Sequence, residues 1–548
     1  MLIGFAYARP QIEAALRTAV AGLGVTDIPE LELTRPKDAQ HGDYASSIAM
    51  KLARLLRRPP PAIAAQIAER LQLEEATVEI AGAYLNFRLR PAWLRRLATV
   101  AATDETYGGG NLGRGERVQV EYGSINPTGP LHVGHGRGVV LGDALSRLLE
   151  FTGHEVQREY YVNDQNTQAK KFGLSVYARL HGSPPPEGGY LGDYVSELAE
   201  LARRDLPGVD ELPEAEAEPR LRAYAIARMV ERLRATLERL DVRYDDWYHE
   251  SSLWRDGLAP RAIEQLRESG QLSERSGAVW FSPQVAGWDE EDEERVVIRG
   301  TGEPTYFASD LGYLLSKYEV RGFQREIEVW GADHHGYVPR MRAAVAALGF
   351  DPAAFEVILI QLVTVKEGRM SKRQGRYITL DDLVDAVGKD AARYFYLLRS
   401  ADVAMEFDLE LAVKESSENP VYYAQYAHAR LANVEPRAAA THPQLPETPN
   451  LSLLTEPWEL RVLRELAYWP DVVDVAARLR EPHRLPHYVH DLADRVHSFY
   501  HAGNQTPEHR VVVDDPELTR ARLELCRAAR NTLHIALSLM GVSAPDRM

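Results

Sequence analysis

Two short segments of this 548-residue chain combine residue types and spacings suited to holding phosphate. In the first, Pro127-Thr128-Gly129-Pro130-Leu131-His132-Val133-Gly134-His135-Gly136-Arg137-Gly138, histidines at i and i+3 share one side of a helix's first turn. A helix that begins after a strand and a glycine-rich loop points free N–H groups and a positive dipole end at a bound anion. Imidazoles there can donate to phosphate oxygens, and Gly134 leaves room for an adenine ring against the backbone. A lone His-x-x-His is more often a pair of surface imidazoles; the strand–loop–helix setting and the glycines favour the anion site.

The second segment is Gly368-Arg369-Met370-Ser371-Lys372-Arg373-Gln374-Gly375, placed between a strand and a helix expected to start near Asp381. A loop of cationic side chains suits a leaving pyrophosphate, where negative charge develops during in-line displacement at an α-phosphate. Lys372 stands out because only nine of the 64 basic residues are lysine. In isolation such a run reads as a solvated basic turn.

A third set carries carboxylates. Glu121 and Asn126 stand five apart across a strand end, and Tyr306 and Asp310 lie in Thr305-Tyr306-Phe307-Ala308-Ser309-Asp310. Two carboxylates converging with an amide and a phenol would match a guanidinium, whose planar fork offers five donors. Taken singly, both acids also fit ordinary strand-end or helix-cap positions.

These residues need a scaffold. Arg117–Tyr122 alternates as a strand, helix follows through Val139–Phe151, and His154–Val162 reads as the next strand. A second strand–helix–strand set falls at Glu326–Trp330, Tyr337–Leu348 and Phe355–Val365, completing a parallel nucleotide-binding sheet split by an insertion. The patterning predicts an α/β multidomain chain: an α+β N-terminal unit over 1–110, a Rossmann-like core over 111–181 and 298–400, an insertion over 182–297, and an all-α helical bundle over 401–548. Pro59-Pro60-Pro61 should stop a helix over Ala45–Arg57, and Tyr107-Gly108-Gly109-Gly110 reads as a linker. Strand signals nearly vanish after Ser400.

Composition sets bounds. The chain is 45% hydrophobic and 26% charged, as expected for several buried cores rather than disorder. No run of eighteen apolar residues predicts a membrane span, and the N-terminus has no signal-peptide pattern, so cytoplasm is the expected address. One cysteine, Cys526, argues against disulfides and a cysteine-built zinc site. The net charge of −16 argues against a polyanionic partner only on average, since one basic face suffices.

The first two segments resemble the HIGH and KMSKS signatures of class I aminoacyl-tRNA synthetases, with Arg369 standing where the second usually starts with lysine. The surrounding Glu121-x-x-x-x-Asn126 and Tyr306-x-x-x-Asp310 resemble the arginyl-tRNA synthetase family specifically. Asp390-Ala391-Ala392-Arg393 is similar to that family's DALR element, Tyr84-Leu85-Asn86 to its N-terminal Tyr-x-Asn, and Trp330–Gly336 to its ATP-side loop. Asn419–Arg430 and the terminal Ala544–Met548 also look like the family, so the resemblance runs almost end to end.

The resemblance implies a two-step ligase using ATP, L-arginine and an arginine-accepting tRNA, with Mg²⁺ on the ATP phosphates and no bound zinc. It further implies activation that needs tRNA, no editing site, and a monomer. By the same resemblance His132, His135 and Lys372 are catalytic, and Pro127, Gly129, Gly134, Asp333, His334, Met370 and Ser371 complete the ATP site. Glu121, Asn126, Tyr306 and Asp310 would take arginine; Tyr84, Asn86, Tyr422, Tyr426, His428 and Met548 would take tRNA. Small nucleotidylyltransferases share the histidine turn but lack the second signature in this context and a long helical domain. A cysteinyl enzyme lacks its zinc cysteines here, and a non-catalytic tRNA binder would be expected to lose a signature histidine or Lys372. Replacing Asn86 by Ala is expected to lower kcat/KM for tRNA while leaving ATP binding unchanged; an unaltered kcat/KM would remove Asn86 from tRNA recognition.

Overall fold

The computed structural model describes residues 7–285, 295–366 and 378–548. Alternation in Tyr84–Leu89 buries Leu85, Phe87 and Leu89, and this strand centres an antiparallel sheet in the order β1 (Tyr44–Ser46), β3 (Tyr84–Leu89), β2 (Ala76–Ala81). Helices Ala8–Ala21, Ile48–Leu56 and Pro60–Ala68 belong to the same unit. The proline triplet does more than stop a helix: Arg57 caps the first helix in the left-handed region, and Pro60 opens the next, where a missing N–H costs nothing.

The glycines after Tyr107 are not a loose linker. Gly108 has φ +89°, and a side chain there would collide with the indole of Trp469; that indole donates to Tyr107 O at 2.7 Å, and Tyr107 donates to Leu466 O at 2.8 Å. The segment is thus docked against the helical domain. Tyr44 to Asp471, Tyr468 to Asp43 and Arg35 to Glu465 add polar ties across the same boundary.

The central sheet is fully parallel, ordered β11 (Phe355–Ile360), β10 (Arg325–Gly331), β4 (Arg117–Tyr122), β5 (Glu155–Val162), β6 (Asp246–His249). The edge strand β6 falls inside 182–297, so part of the expected insertion completes the sheet. The rest supplies helices Asp193–Asp205 and Glu214–Arg239, which follow helix Thr167–Leu180 of the core, and a small antiparallel sheet of β7 (Leu272–Arg275), β8 (Ala278–Phe281) and β9 (Arg295–Ile298), whose last residue lies just past it. Strand order reverses between β4 and β10, which makes a crevice at their carboxyl ends.

One face of the sheet is conventional: Val118, Val120, Tyr122, Ile327 and Val329 are buried, with the glycines of helix Val133–Phe151 close by. Gly142 lies so close to Tyr122 that an added Cβ would overlap the ring. The other face carries Glu121, Glu159, Glu326 and Glu328, all buried.

Helices Leu380–Leu397, Pro420–Ala432, Pro457–Leu479, Arg484–Gln505 and Pro516–Leu539 dominate the C-terminal part. The expected strand over Phe355–Val365 divides into β11 and β12 (Val363–Val365), and β12 pairs in parallel with β13 (Met405–Phe407), which lies beyond Ser400 where the sequence showed almost no strand signal. Arg393 of the DALR-like element is fully buried and joins three regions: Asp143, Leu240 O at 2.8 Å and Met540 O at 2.6 Å. Gly541 has φ +66°, and a Cβ there would strike the guanidinium. Replacing Arg393 by Met is expected to lower stability by about 3 kcal/mol, since it leaves a buried carboxylate and carbonyls short of a donor; a wild-type denaturant midpoint would show that the node carries no load.

Candidate active site

Helix Val133–Phe151 starts six residues earlier than the sequence pattern suggested, which makes His132 its N-cap and His135 its N3 residue. The two form a reciprocal cap: Gly134 N–H donates to His132 Nδ1 at 3.1 Å, and His132 N–H donates to His135 Nδ1 at 3.2 Å. Both Nδ1 atoms therefore act as acceptors, which leaves the proton on Nε2 of each neutral ring. The rings stack with centroids 3.4 Å apart. Burial and the neighbouring His132 push His135 down to about 3, and burial lowers His132 as well, so both are neutral at pH 7. Gly134 is needed by the cap itself, because a Cβ there would lie 2.9 Å from His132 Cε1.

The turn is stitched to the chain on the far side of the second signature. Val133 N–H donates to Ile378 O at 3.1 Å, and Leu380 N–H to Leu131 O at 2.8 Å. Pro127 is buried beside this turn, and Gly129 faces the Tyr194 hydroxyl. Met370, Ser371 and Lys372 lie outside the described residues. Asp333 and His334 follow the carboxyl end of β10, exposed, with His334 Nε2 3.5 Å from an Asp333 oxygen.

On the acidic face, neighbouring strands set Glu328, Glu121 and Glu159 in register, with Glu326 two residues back on β10. Asp310, on helix Tyr306–Leu315, accepts from the Tyr337 hydroxyl. Burial pushes Asp310 up to about 7, with Glu328 and Glu121 adding to the rise. Tyr306 and Asp310 are one helical turn apart. Tyr306 is half exposed, and its hydroxyl accepts from Thr167 N–H at 3.1 Å. Asn126 meets the same helix start: it donates to Gln168 and accepts from Asn166, each at 2.8 Å. Asn126 and Tyr306 thus converge on the beginning of helix Thr167–Leu180, while Glu121 and Asp310 belong to the acidic cluster.

Sequence reasoning passed over Lys317, Tyr337 and Glu250. Glu250 is buried, pushed up to about 7 mainly by burial, and sits near Ser309, Asp310 and Asp164. Lys317 is fully buried among Glu121, Glu326 and Glu328. A signal was available for the last: charged residues at alternate positions of β4 and β10 break the apolar pattern of a parallel strand and call for an internal cation.

The expected tRNA-contacting residues divide. Tyr84 is 47% exposed, whereas Asn86 is only 7% exposed within β3. Tyr422 and Tyr426 stack with centroids 6.1 Å apart along helix Pro420–Ala432. His428 departs from expectation: at 2% exposure it turns inward and bonds Pro545 O at 2.9 Å, so as placed it offers no ring face to a base. The same tail is held by Asn433 at Asp546 O, which leaves Met548 exposed.

Among the described residues, no helix is long and apolar enough to cross a membrane, and no three His, Cys, Asp or Glu side chains are arranged to hold a metal ion. Residues 10–89 match the family model "Arginyl tRNA synthetase N terminal domain", residues 97–181 and 206–435 match "tRNA synthetases class I (R), catalytic domain", and residues 424–548 match "DALR anticodon binding domain". The chain is 43% identical over 553 residues to the arginine–tRNA ligase of Moorella thermoacetica, covering 98% of this chain and 97% of that protein. It is 44% identical over 568 residues to that of Desulforudis audaxviator, covering 98% and 99%. The arginyl-tRNA synthetase of Thermus thermophilus superimposes with a TM-score of 0.81 at 26% identity, covering 99% of this chain and 100% of that one. Three domain models in order and near-complete alignment lead to one conclusion: the chain belongs to the arginyl-tRNA synthetase family of class I aminoacyl-tRNA synthetases.

Proposed function

We propose that this ligase activates L-arginine at the β4–β10 crevice and transfers it to the 3′-terminal adenosine of an arginine-accepting tRNA. The observation that carries this reading is one parallel sheet that bears the acidic cluster of Glu121 and Asp310 on one face and, after the carboxyl end of β4, a histidine-capped helix start. The arginine carboxylate attacks the α-phosphate of ATP, the bond to the β-phosphate breaks, and pyrophosphate leaves. A ribose hydroxyl of tRNA then attacks the arginyl carbonyl, and AMP leaves.

In this reading His132 and His135 donate Nε2–H to the phosphates as neutral groups and transfer no proton. Their stacking and mutual caps hold them in place, so catalysis rests on positioning and preformed dipoles. Lys372 stabilises the departing pyrophosphate, with Met370 and Ser371 beside it, and Mg²⁺ enters with ATP as the nucleotide's counter-ion. Pro127, Gly129 and Gly134 shape the nucleotide site, and Asp333 and His334 face the ribose. Asp310 and Tyr306 take the guanidinium; Glu121 and Asn126 orient the α-amino end. The Tyr422–Tyr426 stack is suited to bases splayed from a single-stranded loop, and Tyr84 to a base at the tRNA elbow. His428 and Asn86 act through the packing that holds these surfaces. The reading includes tRNA-dependent activation, a monomer and a cytoplasmic address.

ATP–pyrophosphate exchange with each of the twenty amino acids, with and without tRNA, tests the reading directly. Exchange is expected with arginine alone and only when tRNA is present; exchange with another amino acid would show that the pocket is misread. Asp310→Asn is expected to cut arginine-dependent exchange at least about a hundredfold, because a guanidinium would lose its buried partner. Asp310 is protonated below about pH 7 in the free enzyme, and a guanidinium binds its carboxylate form. The KM for arginine should therefore fall as pH rises from 6 to 8; a flat profile would separate Asp310 from arginine binding.

A further inference from the structure

We propose that Lys317 is a positioning residue for arginine recognition: it anchors Glu121 by one carboxylate oxygen so that the other is presented to the amino acid. The inference rests on the arginine-pocket reading above. Lys317 Nζ donates to Glu121 Oε2 at 2.9 Å, to Glu328 Oε1 at 2.8 Å and to Glu326. Its three N–H donors are thereby all used. The ammonium also lies 3.9 Å from the centroid of the Tyr313 ring. Among the described residues no side chain donates to Glu121 Oε1, and the group keeps a small exposed surface.

The arrangement is built by the backbone. Helix Tyr306–Leu315 bears Tyr306 and Asp310, then widens into a π-turn over Ser316–Val320, closed by Arg321 N–H on Ser316 O at 2.9 Å. Such turns are rare and cluster at functional sites. Here the turn brings Lys317 and Arg321 to the same sheet face, where Arg321 and the Tyr313 hydroxyl take Glu159. The element that carries the guanidinium-facing residues thus also delivers the cation that holds Glu121. A lysine suits the position because three separate oxygens surround a point charge, whereas a planar guanidinium would need a coplanar pair.

The groups facing Glu121 and Lys317 are Glu159 from β5, Glu326 and Glu328 from β10, Asp310 and Tyr313 from the helix, and Tyr318 and Arg321 from the π-turn and its end. Burial raises Glu121, and Lys317 opposes that rise. Lys317 also opposes the rise of Asp310, so losing the lysine charge favours the protonated forms of both Glu121 and Asp310, while losing a neighbouring carboxylate favours their ionised forms.

The test measures KM for arginine and for ATP separately across pH 6–9, by pyrophosphate exchange in the presence of tRNA. Lys317→Met should raise the arginine KM about tenfold at pH 7, leave the ATP KM within about twofold, and move the acidic limb of the arginine profile up by about one pH unit. Glu326→Gln, on the far side of the lysine, should move that limb to lower pH. Lys317→Arg should restore the charge but not the arginine KM. An unchanged arginine KM and limb in Lys317→Met, or arginine and ATP KM rising together, would overturn the proposal. Should Lys317→Met fail to fold, an unmoved limb in Glu326→Gln overturns it equally. Glu121→Gln separates the two layers: if it leaves the arginine KM unchanged the pocket reading fails, and if it raises that KM while Lys317→Met is silent only the lysine's role is lost.

Discussion

Four glutamates on one face of a parallel sheet are an electrostatic problem that the rest of the catalytic unit is arranged to contain. Like charges directly opposite on neighbouring strands are destabilising, and burial removes the water that would screen them. Two cations from a single π-turn answer them: Lys317 for Glu121, Glu326 and Glu328, and Arg321 for Glu159. The helix ahead of that turn, Tyr306–Leu315, is thereby held over the acidic face, with Asp310 buried among Tyr337, Glu328 and Glu121. Under the proposed function, the carboxylates left over from that balance are what would favour a cationic amino acid.

The opposite face of the sheet is apolar and glycine-rich where helix Val133–Phe151 approaches, so the two sides divide the work. One supplies close packing, which lets the helix start at the topological switch point. The other supplies charge. The histidines at the helix start do not add to that charge, because their Nδ1 atoms are occupied by backbone N–H groups and burial keeps both rings neutral. In the proposed reading the substrate phosphates would meet these neutral rings and the substrate guanidinium the acidic cluster.

Much of this was legible in residue order. The alternation of Arg117–Tyr122 and of Glu326–Trp330 marked core strands, and helices between the strands marked the sheet as parallel, while the strand order comes from the structure. Glu121 and Asp310 each fit ordinary strand-end or helix-cap positions taken singly, and the reading of them as a pair came from the family resemblance of their surroundings. The docked state of Tyr107–Gly110 was not legible, since its partners Leu466 and Trp469 lie more than 350 residues away and glycines alone read as slack. The orientation of His428 was hidden for a related reason: helical spacing places it near the tyrosines, but its partner is a carbonyl at the far terminus. Lys317 was missed because a lone lysine after an apolar stretch reads as a helix end, and only the register of three strands shows how many acids it must meet.

The Arg393 node has a mechanical consequence. Helix Val133–Phe151 holds the paired histidines at its first turn and Asp143 about 16 Å further along its axis. The guanidinium grips that distal point together with the carbonyl of Met540, at the end of the last long helix of the anticodon-binding domain. The helix is thus a stiff rod held at two points, at Asp143 through Arg393 to the helical domain and at its first turn through the backbone bonds of Leu131 and Val133 with Leu380 and Ile378. Over the length between those two points a tilt of a few degrees amounts to a displacement of about 1 Å at the first turn, and the chain at Ile378–Leu380 is bonded to move with it.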